Sequence, residues 1–223
     1  MNTAHHALDA RLIDALAGSR SSTRLRAALI AGSQPHPGLL EPLIARCATE
    51  LDFFVRDMLT WALVRHPAEA TVPRLLVELG SASAQARSQA LHTLSKIGDP
   101  AAWPAILPLL NDDDAEVARS AWRAAVALVA PGHEAALAER LATQLGRGDD
   151  EMQLSLSRAL MALGETVPSL LSAARGSDDP LARAHAIATE RLLSDPSAEF
   201  APALEHAKRI ASTGVEPTGE PGC

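Results

Sequence analysis

Asp57, Ser88 and His92 are the residues of this chain whose types could do chemistry together: a carboxylate, a hydroxyl and an imidazole, the set a nucleophilic hydrolase uses. Asp57 sits in one apolar segment and Ser88 and His92 in the next, so only neighbouring helices could join all three. No nucleophile elbow, glycine-rich phosphate cradle or other catalytic motif accompanies them. A solvated polar groove explains the same three residues, and the chain reads as a non-enzyme. The eight histidines, from His5 to His206, form no i,i+4 pair with a third ligand nearby, and there is no Cys-x-x-Cys. Cys47 and Cys223 make neither a disulfide framework nor a ligand cluster, so no metal and no cofactor is expected.

What must position these residues is a set of helices with a period. Arg26, Arg56, Arg87 and Arg119 recur at intervals of 30, 31 and 32 residues; Gln153 takes the next slot and Arg183 follows 30 later. Each slot is followed by about ten helix-compatible residues. Three and seven residues after it stand Leu59 and Leu63, Ala90 and Leu94, Trp122 and Val126, Leu156 and Leu160, one apolar helical face. Pro42, Pro73, Pro104, Pro168 and Pro202 mark the first turns of a second set of helices, where the missing N–H costs nothing. Asp52, Ser83, Asp113, Asp149 and Asp179 supply N-caps between the members of each pair.

A period near 31 residues carried by helices means stacked helix pairs. The expected fold is all-α, with about six antiparallel pairs at 4–33, 37–66, 69–98, 101–130, 133–164 and 166–194 and a capping helix at 198–211. Residues 1–211 read as a single solenoid domain, and 212–223, with nothing to bury, as a disordered tail.

Composition agrees. Hydrophobic residues make up 47% of the 223, but only 3% are aromatic and tyrosine is absent, so Ala and Leu must fill the interior. A net charge of −7, with only Lys96 and Lys208 as lysines, argues against a nucleic-acid partner. The chain begins without a signal-peptide pattern and contains no apolar run of spanning length, which predicts a cytoplasmic protein with no membrane partner.

The run Ala86-Arg87-Ser88-Gln89-Ala90-Leu91-His92-Thr93-Leu94-Ser95-Lys96-Ile97-Gly98-Asp99-Pro100 resembles the HEAT repeats of the short bacterial type. Val55–Pro67 and Ala118–Pro131 are similar to the same pattern, and the resemblance extends over about 37–194, departing at Gln153. It implies a right-handed, armadillo-like α-solenoid whose second helices line a concave side. It also implies adaptor and scaffold roles, with bilin lyases and DNA glycosylases as other users of the fold. Fold does not choose among these.

The recurring arginines read as a structural ladder: Arg26, Arg56, Arg87, Arg119 and Arg183 pairing with turn aspartates four residues earlier, as Asp52 with Arg56 and Asp179 with Arg183. The face opposite the apolar stripe falls one, five and eight residues after each slot. It holds Asp57, Trp61 and Val64, then Ser88, His92 and Ser95, then Ser120, Ala124 and Ala127, then Leu154, Arg158 and Met161. Asp57, Trp61, His92 and Lys96, flanked by Ser88, Gln89, Arg123 and Arg158, are the expected contacts for a protein or peptide partner. Trp103 and Trp122 read as packing residues. A nucleic-acid-binding groove and a small-ligand groove are the alternatives.

Overall fold

The computed structural model describes residues 2–195 and 199–213, and every regular element among them is helical. In chain order the helices are α1 (Asn2–Leu16), α2 (Ser21–Ser33), α3 (Leu40–Cys47), α4 (Phe53–Val64), α5 (Ala68–Glu78), α6 (Ala84–Ile97), α7 (Trp103–Ile106), α8 (Ala115–Leu128), α9 (Glu134–Ala142), α10 (Asp150–Met161), α11 (Val167–Ala174), α12 (Pro180–Ser194) and α13 (Phe200–Thr213). Short 3-10 turns extend α3, α7 and α11. Six pairs and a final helix result, the all-α, solenoid-type arrangement expected. The final helix runs to Thr213, into the stretch expected to be disordered, and the remainder of that expectation, 214–223, lies outside the described residues.

Packing divides the chain into two compact units, ending at Leu128 and beginning at Val129. In the first, the second helices lie side by side: α2 on α4, α4 on α6 and α6 on α8. In the second, α12 packs on α11 and α13, and α10 touches α9, α12 and α13.

The capping residues act largely as the spacing predicts. Asp52 accepts from the N–H groups of Phe54 and Val55 at 2.9 and 3.2 Å, and Ser83, Asp149 and Asp179 do likewise for α6, α10 and α12. Such caps are worth ~1 kcal/mol each. At α8 the cap is Asp114, which accepts from Glu116 and Val117, rather than Asp113. Pro73 also departs from expectation: α5 starts at Ala68, so the proline lies inside the helix. Gly98 ends α6 in the left-handed region, φ +78°, while its N–H bonds the Leu94 carbonyl.

Behind the caps the apolar stripe is buried as its phase requires. Leu59, Leu63, Leu156 and Leu160 have no exposed surface, each contributing ~1.5–3 kcal/mol, and only Val126 of the stripe is partly exposed. Trp122 is fully buried and donates its indole N–H to the Leu110 carbonyl at 2.9 Å. Trp103 donates to Ala125 at 3.1 Å.

The recurring cations bind differently from expectation. Arg56 donates to the carbonyls of Glu50 and Leu51, and Arg183 to those of Ser177 and Asp178, while Asp52 and Asp179 are occupied in capping. The physical reason is directional. A cap carboxylate turns toward the N–H groups of its own helix, leaving the loop carbonyls five and six residues back for the arginine.

The same geometry corrects the first slot. Arg24, not Arg26, donates to the carbonyls of Gly18 and Ser19, and Arg26 stands exposed. Arg119 instead pairs with Glu116, three residues earlier, at 2.9 Å. Gln153 fills its slot by the same logic, its amide N–H group reaching the carbonyls of Gly146 and Gly148.

Two slots also clamp the neighbouring repeat. Arg87 makes a two-point ion pair with Asp112, both bonds 3.0 Å. Arg24 makes another with Glu50, at 2.6 and 2.8 Å, and Arg46 adds a third donor at 2.8 Å. Burial alone would raise the Glu50 carboxyl, but the bonds from Arg24, Arg46 and the Asp52 N–H outweigh it and lower it to about 2.

Candidate functional site

The face opposite the apolar stripe in the first unit is built by α4, α6 and α8. On α4 the positions 54, 57, 61 and 64 form one helical stripe, and all four side chains are exposed: Phe54, Asp57, Trp61 and Val64. Phe54 was missed by the sequence reading because it precedes the arginine slot from which the row was counted. With Leu51 at 84%, Phe53 at 66% and Phe54 at 71% exposure, the start of α4 carries an unusual amount of bare apolar surface.

Trp61 is partly foundation and partly surface. It retains 37% exposure, yet one face of its indole covers Gly32 of α2, where no side chain intervenes. Arg65 lies 5.3 Å over the ring and donates Nε to the Gly32 carbonyl. The tryptophan is thereby held in one orientation with an edge free.

On the neighbouring helices the charges converge. Burial, then Lys96 and Arg123, push the His92 imidazole below its usual value, against the opposing pull of Asp57. Asp57 of α4, Lys96 of α6 and Arg123 of α8 are thus all within electrostatic reach of His92. Lys96 and Arg123 are exposed, whereas His92 is half-buried and neutral at pH 7.

Other expected members are placed otherwise. Ser88 turns its hydroxyl to that of Ser120 on α8, 2.9 Å away, rather than to His92. Gln89 is half-buried, its amide oxygen enclosed without a hydrogen-bond partner. Ser120 and Ala124 are buried, because α6 packs directly across that part of α8. The row is therefore open on α4, half-open on α6 and largely closed on α8. Arg158 belongs to the second unit, exposed on α10 between the partly buried Leu154 and Met161.

Buried chemistry elsewhere is structural in its geometry. The Ser157 hydroxyl lies 3.0 Å from His185 Nε2 and 2.8 Å from Thr189, while His185 Nδ1 accepts the Gly146 N–H. The ring is fully enclosed, and its Nδ1 meets a donor where a catalytic dyad would place an acid. The Cys47 thiol is buried and pushed up to about 12, an unreactive setting. Among the described residues no group of three or more His, Cys, Asp or Glu could hold a metal ion, and no helix is long and apolar enough to cross a membrane.

Residues 40–128, from α3 to the end of α8, match the family of HEAT repeats. The match spans 89 of the 223 residues, and the helix pairs within it are the ones that build the face just described. Among solved structures, the chain is similar to human deoxyhypusine hydroxylase in complex with glycerol, at 16% identity over 93% of this chain and 94% of that one, with a TM-score of 0.46. It is also similar to an engineered protein, at 20% identity over 93% and 97% of the two chains, with a TM-score of 0.33. Likenesses of that depth carry no inference about activity. No curated protein matches the chain.

Proposed function

We propose that this protein is a non-catalytic scaffold or adaptor that holds a protein or peptide partner on the second-helix face of its first unit, with Asp57, Trp61, His92 and Lys96 at the centre. The observation that supports this reading best is the α4 stripe, where Phe54, Trp61 and Val64 stand exposed around a carboxylate. Apolar and aromatic side chains left bare beside fixed charges are characteristic of surfaces that bury themselves against another protein.

Electrostatics supports the same reading. Asp57 and the pair Lys96 and Arg123 place opposite charges on adjacent helices, which orients a partner by register. The Ser88 hydroxyl is hydrogen-bonded to Ser120 rather than to His92, which favours the binding reading over an acid, base and hydroxyl site. A role in the cytoplasm, and regulation or assembly as the purpose of binding, belong to this proposal.

The test is affinity capture from native lysate with the wild-type chain and with Asp57→Arg/Lys96→Glu, two exposed positions whose reversal leaves the core intact. The expected result is at least one protein retained by the wild type and lost with the variant, at equal melting temperature. Retention of every captured protein by the variant would place the binding surface elsewhere.

A further inference from the structure

We propose that a second site, a cavity in the second unit, binds a peptide segment presenting a bulky apolar side chain flanked by lysine or arginine. The cavity holds about 490 Å³ and lies between the outward row of α10, the end of α12 and the start of α13. Its volume falls within the roughly 300–1,000 Å³ range of ligand sites.

The floor is apolar and already anchored. Leu192 and Phe200 belong to the buried cluster around Leu204, and Leu154 and Met161 pack against that cluster while keeping part of their surface toward the cavity. Methionine adapts its shape at small cost, which suits a floor that must receive a side chain.

The rim is acidic. Asp150, Glu151 and Glu199 line the opening with one lining cation, Arg158, and Lys208 reaches Asp150 from outside the lining. Lys208 already shows what the rim accepts, its ammonium lying 3.4 Å from Asp150 and 2.8 Å from Glu205. This bias extends across the unit: residues 129–223 carry 14 Asp and Glu against 8 Lys and Arg, while residues 1–128 carry 13 against 12. Nearly all the net negative charge of the chain therefore belongs to the unit that holds the cavity.

Charge selects the occupant. Phosphate-bearing partners are repelled, and the chain's own segment 214–223 carries Glu216 and Glu220 with no cation, so it does not complement the rim. A basic segment with one large apolar residue satisfies both floor and rim.

The experiment is fluorescence anisotropy of the full chain with three short labelled peptides: leucine and phenylalanine among lysines and arginines, the same apolar residues among glutamates, and lysines among alanines. The first should bind with an affinity that weakens as salt rises, and the other two should bind far more weakly. Glu151→Gln/Glu199→Gln, two exposed positions, should reduce affinity for the first peptide roughly three- to tenfold. Met161→Lys should abolish that binding. Asp57→Arg/Lys96→Glu should leave it unchanged, so that this site and the one on the first unit fail separately. Saturation by none of the peptides up to about 1 mM, equal binding of the acidic peptide, or wild-type affinity in both folded cavity variants would overturn the proposal.

Discussion

The indole of Trp61 lies over Gly32 so closely that a Cβ added to the glycine would fall 2.2 Å from Cζ3 of the ring and 2.8 Å from Cα of Ala62. The exposed aromatic of the candidate site is therefore set by a missing side chain on the adjacent helix. α2 and α4 can approach only because residue 32 has no bulk, and Arg65 then bonds the bared Gly32 carbonyl.

Gly32→Ala should destabilise the first unit even though alanine is the better helix former in this last turn of α2. Helix propensity favours alanine by ~1 kcal/mol, but the added carbon meets backbone as well as a ring, and overpacking of that kind costs ~1–3 kcal/mol. Thermal unfolding followed by circular dichroism should show a lower Tm, with altered tryptophan emission. A raised Tm would mean that the helices separate freely.

Glu50→Gln should cost ~3 kcal/mol or more, because it leaves the buried guanidinium of Arg24 without its counter-charge. The acid dependence follows from the carboxyl's own titration. With the folded value at about 2 against an ordinary 4.5, its stabilisation is complete above about pH 4.5 and is lost as the pH falls toward 2. Chemical denaturation at stepped pH should show that loss in the wild type and its absence in the variant.

Arg87→Ala should lower stability by ~2 kcal/mol, since it removes both bonds to Asp112 and the donor to the Ser81 carbonyl. Arg87→Lys should recover only part of this, a single ammonium being unable to span the carboxylate and the loop together. Urea midpoints at constant m-value would measure both. Full rescue by lysine would show that charge alone suffices.

His185 should remain neutral until strongly acid pH, with its proton on Nε2. Burial lowers it from 6.5 to about 4, so its neutral form stabilises the fold fully above about pH 6.5, and that contribution, ~3 kcal/mol, is lost as the pH falls through about 4. Nitrogen-15 chemical shifts of the ring across pH 5.5–7 should stay those of the Nε2–H tautomer, and move toward imidazolium only as the pH approaches about 4. Titration near 6.5 would mean that the Ser157 and Gly146 bonds are not maintained in solution.

The helix pairs and the buried stripe were legible because each depends on local rules: period, proline and cap spacing, and the 3.6-residue turn. The candidate face was legible only in part. Asp57, Trp61, His92, Lys96 and Arg123 share it, but Ser120 and Ala124, placed on it by helical phase, are covered by the neighbouring helix. Phase says which way a side chain points and not what stands in front of it. Arg24 and Glu50 were missed since their pairing spans 26 residues and no local spacing marks it.

By itself, the sequence determined that this chain is built of helix pairs, because amphipathic period and helix punctuation are properties of neighbours along the chain. Tertiary structure alone decided which arginine fills the first slot, where carboxylates clamp adjacent repeats, and that Gly32 makes room for Trp61. It also decided that Leu154, Arg158 and Met161 face a cavity with an acidic rim. Those outcomes depend on how closely two helices distant in sequence approach, a distance set by side-chain volume at their contact.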